Sequence, residues 1–593
     1  MGAASRMIPC RVCSPFRISL PPPTIALRPS GRFLHHTICL DATDRSLIAS
    51  KEGVGSDMSS ITASIPFPRA AAERSAVNPW IVAIVVTLAT FMELLDTAIA
   101  NVALPHIAGG LAVSYDESTW VLTSYLVSNA VVLPLSAWLS RVFGRKRYYM
   151  TCVLLFTVSS LLCGLAPSLG LLIFFRVLQG VGGGGLAPVE QAILVDTFPP
   201  NKRPAAFALY SMAIVTAPAI GPPLGGWITD SWSWRWVFFI NIPIGILSLI
   251  LTKRLVSDPP EFTRQVEAAR LAGSLKIDGL GIVLIALGFA CLEVVLDRGQ
   301  TEDWFESNFI LIFFTVAVIA LVIAAVWEWR HPDPVVEIRL LGERNFAIAN
   351  FFYFLFGFTL FGSTVLIPQM LQSLYGYTAT DAGLVLGPGA MVIVVLAPLI
   401  VRLLPKVGVK PMIAVGYVIF ALSMWYYASF DLGTDYKHEA FARAIQGLGI
   451  APLFIPVSQL AYSFLPKDKN NKASSLTNLF RNQGASFGIA FATTVVARRA
   501  QYHRSVLVAH ATPLSAPYQA VLTNLSAYFA RHGFSAADAA THAQAQVGRI
   551  LDHQASFLAS LDCFWLLGCA CLIGAPLVFF TRNFRSAGPG SAH

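Results

Sequence analysis

The chain is 593 residues long with a formal net charge of +9, yet only 13% of its residues are charged and 55% are hydrophobic. A typical soluble domain carries about 25% charged residues, so an ordinary water-soluble globule is excluded. Apolar runs of about 20 residues, the length that crosses a bilayer as a helix, recur along most of the chain.

Residues 1–77 differ from the rest: they are rich in Pro, Ser and Arg, contain Pro21-Pro22-Pro23, and lack a sustained apolar period. Such material buries too little to fold, so a disordered extension is expected, with translation starting at Met58. No cleavable signal peptide is evident, which suits a first span that inserts uncleaved. Cys10 and Cys13 form a C-x-x-C without a second pair, so no metal site is expected.

Runs bounded by charge, Pro or Gly predict fourteen spans. Six lie near 79–104, 117–139, 147–165, 170–195, 204–228 and 235–252. Two follow near 279–297 and 308–328, and six more near 346–372, 381–404, 411–430, 439–463, 473–497 and 557–580. The expected organisation is an N-terminal six-helix bundle (78–253), a linker with two additional helices (254–344), and a C-terminal six-helix bundle (345–585). The last of these contains a long outer loop at 499–556 and leads into a tail at 586–593.

Lys and Arg concentrate in loops after even-numbered spans, including Arg141, Arg145, Lys146, Lys202, Arg203, Lys253, Arg254, Arg339, Lys406, Lys410, Lys469 and Lys472. Short cytoplasmic loops carry this bias, so both termini are expected in the cytoplasm. Arg498, Arg499 and Lys437 pull the other way, although long loops translocate largely regardless of charge. The positive balance is thus a topology signal, and nucleic-acid binding is not needed to explain it.

The fourth span reads Arg176-Val177-Leu178-Gln179-Gly180-Val181-Gly182, and the twelfth reads Arg443-Ala444-Ile445-Gln446-Gly447-Leu448-Gly449. Gly144-Arg145-Lys146 after span two is echoed by Gly408-Val409-Lys410 after span ten. An internal repeat follows: two parallel six-helix halves about an axis along the membrane normal, with spans seven and eight inserted between them. Halves of this kind rock about a central site in secondary transporters.

Four motifs make the resemblance specific. Leu95, Asp96, Asn101, Val102, Ala103, Leu104 and Pro105 resemble an L-D-x-T-x-x-N-V-A-L-P signature, with Ala98 where Thr is common. Leu139, Gly144, Arg145 and Lys146 resemble G-x-L-x-D-R-x-G-R-K, with Ala137, Arg141 and Val142 replacing its first Gly, its Asp and its first Arg. Arg176, Gln179, Gly180 and Gly182 match R-x-x-Q-G-x-G. Gly221, Pro222, Gly225 and Gly226 match G-x-x-x-G-P-x-x-G-G, with Ala217 for the opening Gly. Trp234-Arg235-Trp236 with Asn241, Pro243 and Gly245 adds to the pattern. Residues 78–585 thereby resemble the major facilitator superfamily, in its fourteen-span drug:proton antiporter branch of the EmrB/QacA type. The resemblance implies an all-α integral membrane protein with the major facilitator fold in a bacterial inner membrane. It further implies proton-coupled efflux of lipophilic compounds, a role for Arg176 in proton transfer, and a periplasmic adaptor and outer-membrane channel as partners. The missing motif Asp is implied to form an interhelical latch, which Arg141 leaves to be rebuilt or lost.

The residues support this on their own terms. A carboxylate at membrane depth is expensive and marks a substrate or proton pathway. Glu93 and Asp96, three apart, lie about 60° apart on one helix face and are expected to share a proton or a cation, since two buried like charges cannot both ionise cheaply. Arg176 needs an acceptor, and these carboxylates are its candidates. Glu190, Gln191, Gln369 and Gln446 are candidate cavity residues, and Glu190 suits either the cavity or the cytoplasmic surface. Asn478, Arg481, Asn482 and Gln483 contact substrate or join helices. Ala217, Gly221 and Gly225 form a stripe that admits a close neighbour, bent by Pro218, Pro222 and Pro223. The Phe cluster of span nine, Phe351 to Phe361, faces either a drug cavity or lipid and neighbouring helices. Gly182 to Gly185 lack P-loop context, and no nucleophile with a base, His cluster or cofactor motif appears in the spans, so no enzyme activity is expected. The competing readings are a dedicated exporter or importer of one metabolite or siderophore, and a receptor or scaffold without flux.

Overall fold

A computed structural model describes residues 78–199, 201–258, 264, 278–465 and 469–582. The extension at 1–77, with Cys10 and Cys13, and the tail at 586–593 lie outside the described residues.

Each span is a helix whose ends the sequence punctuates. We number them by span: α1 Pro79–Leu111, α2 Trp120–Phe143, α3 Arg145–Leu165, α4a Leu169–Gly183, α4b Leu186–Thr197, α5 Arg203–Ser231, α6 Asn241–Leu255 and α7 Gly279–Arg298. Then follow α8 Asn308–Arg330, α9 Arg344–Ser373, α10 Ala379–Val407, α11 Val409–Tyr427, α12 Tyr436–Tyr462, α13 Asn470–His510 and α14 Ala536–Leu577. Short polar side chains close the first turns by accepting backbone N–H groups: Asn78 from Trp80, Asp278 from Gly281, Glu343 from Phe346 and Asp435 from His438. The predicted fourth span is interrupted at Gly184 and Gly185, where α4a gives way to α4b.

Among the described residues, thirteen helical spans are long and apolar enough to cross a bilayer. The one predicted span that does not qualify, the thirteenth at 473–497, falls in α13, which is helical throughout but too polar, because it packs inside the bundle. Its neighbours are α9, α14, α2 and α4b, and its buried positions include Asn471, Ser475, Asn478, Arg481 and Gln483.

The packing repeats with an offset of eight spans. In the first half α1 lies on α5 and α6, α2 on α4a, and α3 on α4a and α6; in the second α9 lies on α13 and α14, α10 on α12, and α11 on α12 and α14. Gly144 and Gly408, the predicted echo, both take φ +88°, a backbone region that favours glycine. The halves meet where α5 packs on α10 and α12, and α13 on α2 and α4b. The inserted α7 and α8 pair with each other, and α7 sits over the seam against α2 and α13. α8 shows Ile319, Val322 and Ile323 on its outside, an apolar surface suited to lipid.

The expected long loop at 499–556 is largely helix. α13 runs on to His510, an outer helix spans Ala516–Arg531, and α14 begins at Ala536. With 41 and 42 residues, α13 and α14 are each about 60 Å long at 1.5 Å per residue, twice the roughly 30 Å hydrocarbon core. Arg499, which pulled against the expected topology, bonds the Asp562 carboxylate across this helix pair together with His503.

Candidate functional site

Asp96 is wholly buried on α1, and three side chains from two other helices converge on it. Its Oδ2 accepts from Arg176 Nη1 at 2.7 Å, while Oδ1 accepts from Gln179 Nε2 at 3.0 Å and Asn241 Nδ2 at 2.6 Å. Arg176 is itself buried; its Nε donates to the Val121 carbonyl, its Nη1 also donates to Gln179 Oε1, and its guanidinium lies 4.4 Å from the Tyr125 ring centre. Asn241 and Gln179 both donate to Ser160 Oγ, which donates to the Phe238 carbonyl. The motif spacing explains this: Arg176 and Gln179, three apart, share one face of α4a and present a cation and an amide to the same carboxylate.

Glu93 belongs to a different network, contrary to the expected sharing with Asp96. Its Oε1 accepts from Asn129 Nδ2 at 2.9 Å and from the Tyr125 hydroxyl at 3.4 Å, both on α2. Three residues along a helix turn the two carboxylates far enough apart for each to meet its own neighbours. Tyr125 touches both, with its ring under Arg176 and its hydroxyl on Glu93.

Glu190 is buried in the interior rather than near a surface, and accepts from Thr87 Oγ1 at 2.6 Å. Arg481 of α13 lies close enough for its charge to act on both Glu93 and Glu190, and donates to the Tyr210 hydroxyl at 2.7 Å. Asn478 receives weak contacts from Gln191 and Tyr210, and the Tyr462 hydroxyl reaches Gln191. Glu93, Glu190 and Gln191 from the first half thus share a polar centre with Asn478 and Arg481 from the second. Arg481 and Asn478 drew notice only as polar residues at depth; Tyr125, Asn129 and Thr87 carry no signal in sequence beyond polarity.

The second half keeps part of the first centre. Arg443 donates to Gln446, and Gln446 Nε2 donates to Ser363 Oγ at 2.8 Å, so Ser363 of α9 stands where Asp96 stands in α1. The repeat has kept the arginine and the amide without the carboxylate. Gln369 lies apart from both centres, exposed in a cleft of about 390 Å³ with Arg549, Asp552 and His553.

The stripe of α5 lies against the Asp96 helix. A Cβ at Gly221 would fall 2.4 Å from Ala98 Cβ, and one at Gly225 3.0 Å from Ile99 Cγ2, so the glycines allow α1 and α5 to touch beside Asp96. Gly226 is buried and Pro222 half-buried on the same helix, and Gly180 lets α4a approach Ser128 and the Tyr125 carbonyl. An apolar groove of about 560 Å³ lies between α5 and α10, lined by Ile220, Pro223, Trp227, Leu384 and Met391. The Phe residues of α9 mostly serve packing: Phe354 and Phe358 meet Phe487 and Phe491 of α13, and Phe356 meets Phe454 of α12.

At the end carrying the basic motif the halves are sealed. Arg145 pairs with Asp196, which also accepts from Asn470 Nδ2 at 3.1 Å. Lys146 donates its backbone N–H to Asp258 at 2.9 Å and its Nζ to the Lys253 carbonyl at 2.8 Å. Burial raises the Asp258 carboxyl above its ordinary value, against the pull of Lys146 and Arg145. Arg141, standing where the motif has Asp, pairs with Asp333 at 3.1 and 3.4 Å, and Asp333 also faces Lys472 of α13 at 3.6 Å. An ion pair of reversed charge thus stands where the resemblance implies a latch, through a carboxylate supplied after α8.

The match to known proteins agrees with this architecture. Residues 86–489 match the family model of the Major Facilitator Superfamily. The chain is 36% identical over 513 residues to the multidrug export protein EmrB of Escherichia coli K12, covering 86% of this chain and 96% of that one. It is 34% identical over 509 residues to the fatty acid resistance protein FarB of Neisseria gonorrhoeae, covering 85% and 96%. Among solved structures, the proton:xylose symporter XylE superposes with a TM-score of 0.54 at 15% identity, over 84% of this chain and 95% of that one, a likeness of fold alone. The chain belongs to the major facilitator superfamily, with EmrB-type multidrug efflux permeases as relatives over most of its length.

Proposed function

We propose that this chain is a proton-coupled secondary transporter that exports amphipathic toxic compounds across a bacterial inner membrane by alternating access, with both termini cytoplasmic. The observation that carries it is the buried Asp96 centre, in a chain whose relatives are named for multidrug export. While Asp96 is ionised it neutralises Arg176. A proton on Asp96 removes the negative partner and leaves a buried guanidinium uncompensated, a state that costs several kcal/mol and favours rearrangement of α4a against α1. Tyr125 carries that change to Glu93, and Glu93 faces the centre that both halves line. Substrate is proposed to occupy that centre when the halves part, with Glu93 and Glu190 attracting cationic amphiphiles, Gln191 offering an amide, Gln446 lining the cavity from the second-half centre, and Gln369 lining an outer cleft. The residues serve binding and gating; no reaction on the substrate and no cofactor is proposed.

One observation favours a narrower substrate range. Arg481 is buried at the meeting of the halves with its Nε unpartnered among the described residues, which suits an anionic amphiphile of the kind named for the FarB relative.

The test is proton movement in inverted membrane vesicles on adding ethidium or a long-chain fatty acid. Movement with ethidium that Asp96→Asn abolishes supports the multidrug reading. A response to the fatty acid alone supports the narrower one, and equal signals from wild type and variant would remove Asp96 from the mechanism. The long α13 and α14 also suit docking of a periplasmic adaptor leading to an outer-membrane channel. Affinity purification from the native envelope that recovers no adaptor would sink that partnership.

A further inference from the structure

The inserted helix α7 carries a carboxylate at membrane depth that the mechanism above does not use. Glu293 is 3% exposed and turns toward α13, where its Oε1 accepts from Ser486 Oγ at 2.7 Å. Gln483, nearly one turn earlier on α13, faces the same carboxylate. Two buried acceptors here, Glu293 Oε2 and Gln483 Oε1, have no donor among the described residues.

The partners that Glu293 meets on α13 are uncharged, and the charged neighbours lie on its own helix. From its own helix Glu293 faces Asp297, which accepts from Thr123 of α2. Arg298, next along α7, stacks its guanidinium 4.5 Å from the Trp120 ring centre and acts on Asp297. The contacts from α2 and α13 are Thr123, Ser486 and Gln483, none of which carries charge. Thr123 sits on the first half and Ser486 on the second, so these carboxylates span the seam between halves. An ionised carboxylate in such a pocket lacks the cation that Asp96 has in Arg176, and a buried polar oxygen without a donor costs about 1–3 kcal/mol. An O–H on Oε2 would neutralise the charge.

We propose that Glu293 is a second proton-carrying site, contributed by the inserted helix, that holds a proton while α2 and α13 enclose it and releases it to water when the halves separate. Oε2 takes its proton from a hydronium ion before α2 and α13 close over it, and on opening the O–H bond breaks as water accepts the proton to form hydronium. The two added helices then do more than join the halves. This inference rests on the proposed proton-coupled export, which it deepens.

Infrared difference spectra between acid and alkaline buffer, on the purified full chain in lipid nanodiscs, read protonated carboxylic acids directly and need no substrate. E293Q is expected to lose one titrating acid carbonyl band, E293D to shift it, and Ser486→Ala to shift it without loss. Spectra unchanged in E293Q overturn the assignment, and the two milder variants keep the test intact should E293Q not fold. Ethidium-driven proton movement in vesicles tests the coupling and is expected to fall in E293Q. A band lost from E293Q with proton movement equal to wild type overturns the coupling role. Wild-type vesicles without ethidium-driven proton movement overturn the multidrug reading separately, while the spectra still decide whether Glu293 exchanges a proton.

Discussion

Asp96 accepts three donors in a space closed to solvent, so its substitutions should separate charge from shape. Asp96→Asn keeps the volume and is expected to abolish substrate-driven proton movement. Both variants leave Arg176 without its counter-charge, and Asp96→Ala also removes the hydrogen-bond acceptor; removing one partner of a buried pair costs about 3–5 kcal/mol, which thermal unfolding in detergent would register as a lowered midpoint, most for Asp96→Ala. Asn241→Ala removes one donor of three and should cost less, about 1.5–3 kcal/mol for a bond to a charged group, with proton movement reduced rather than lost. An unfolding midpoint for Asn241→Ala as low as that of Asp96→Ala would argue against this ranking. The carboxylate itself was conspicuous in the sequence because a charge inside an apolar run has few bland explanations. Its amide partner Asn241 was noticed only as part of a motif, since an Asn in a span is just as suited to joining helices. Arg481 stood out in the sequence only as one of several polar residues that contact substrate or join helices, although its charge acts on both Glu93 and Glu190.

Between elements, two contacts invite compensating swaps. The Arg141–Asp333 pair is partly exposed and worth at most about 1 kcal/mol in stability, but it sits where the loop after α2 meets the segment after α8. Arg141→Asp is expected to loosen the sealed end, raising thiol labelling of a cysteine placed at Ser475, and Arg141→Asp with Asp333→Arg should restore protection. Protection unaltered in the single variant would show the reversed latch to be idle. In the α1–α5 contact, Gly221→Ala places a methyl 2.4 Å from Ala98 Cβ, and overpacking of this kind costs about 1–3 kcal/mol. Ala98→Gly in the same chain should recover the stability; if it does not, the Asp96 helix is held by something other than this approach. The spans and their motif residues were legible because helix period and small-residue spacing are local. The break between α4a and α4b and the length of α13 were not, since both depend on what the neighbouring helices accept.

For the whole molecule, the described state is closed at the end bearing the basic motif. Ser475 Oγ accepts from Ser136 Oγ at 3.4 Å and donates to the Leu133 carbonyl at 2.9 Å, across the two halves. Ser136→Cys with Ser475→Cys, oxidised in purified protein, should lock this state and stop transport in proteoliposomes until reductant is added. Transport that persists with the cross-link formed would mean that the halves need not part here.

The sequence by itself determined the membrane class, the helices, the eight-span offset between halves and the primary carboxylate, because a bilayer demands long apolar runs and makes every buried charge an exception. Only the tertiary structure decided how those exceptions are paired. Glu93 and Asp96, neighbours on one helix, answer to different partners; Arg141 finds Asp333 almost two hundred positions away; Ser363 takes the place of Asp96 in the second half; and Glu293 reaches the seam from an inserted helix. Pairings of this kind are set by which helix faces meet, a property of the packed bundle that no local pattern along the chain contains.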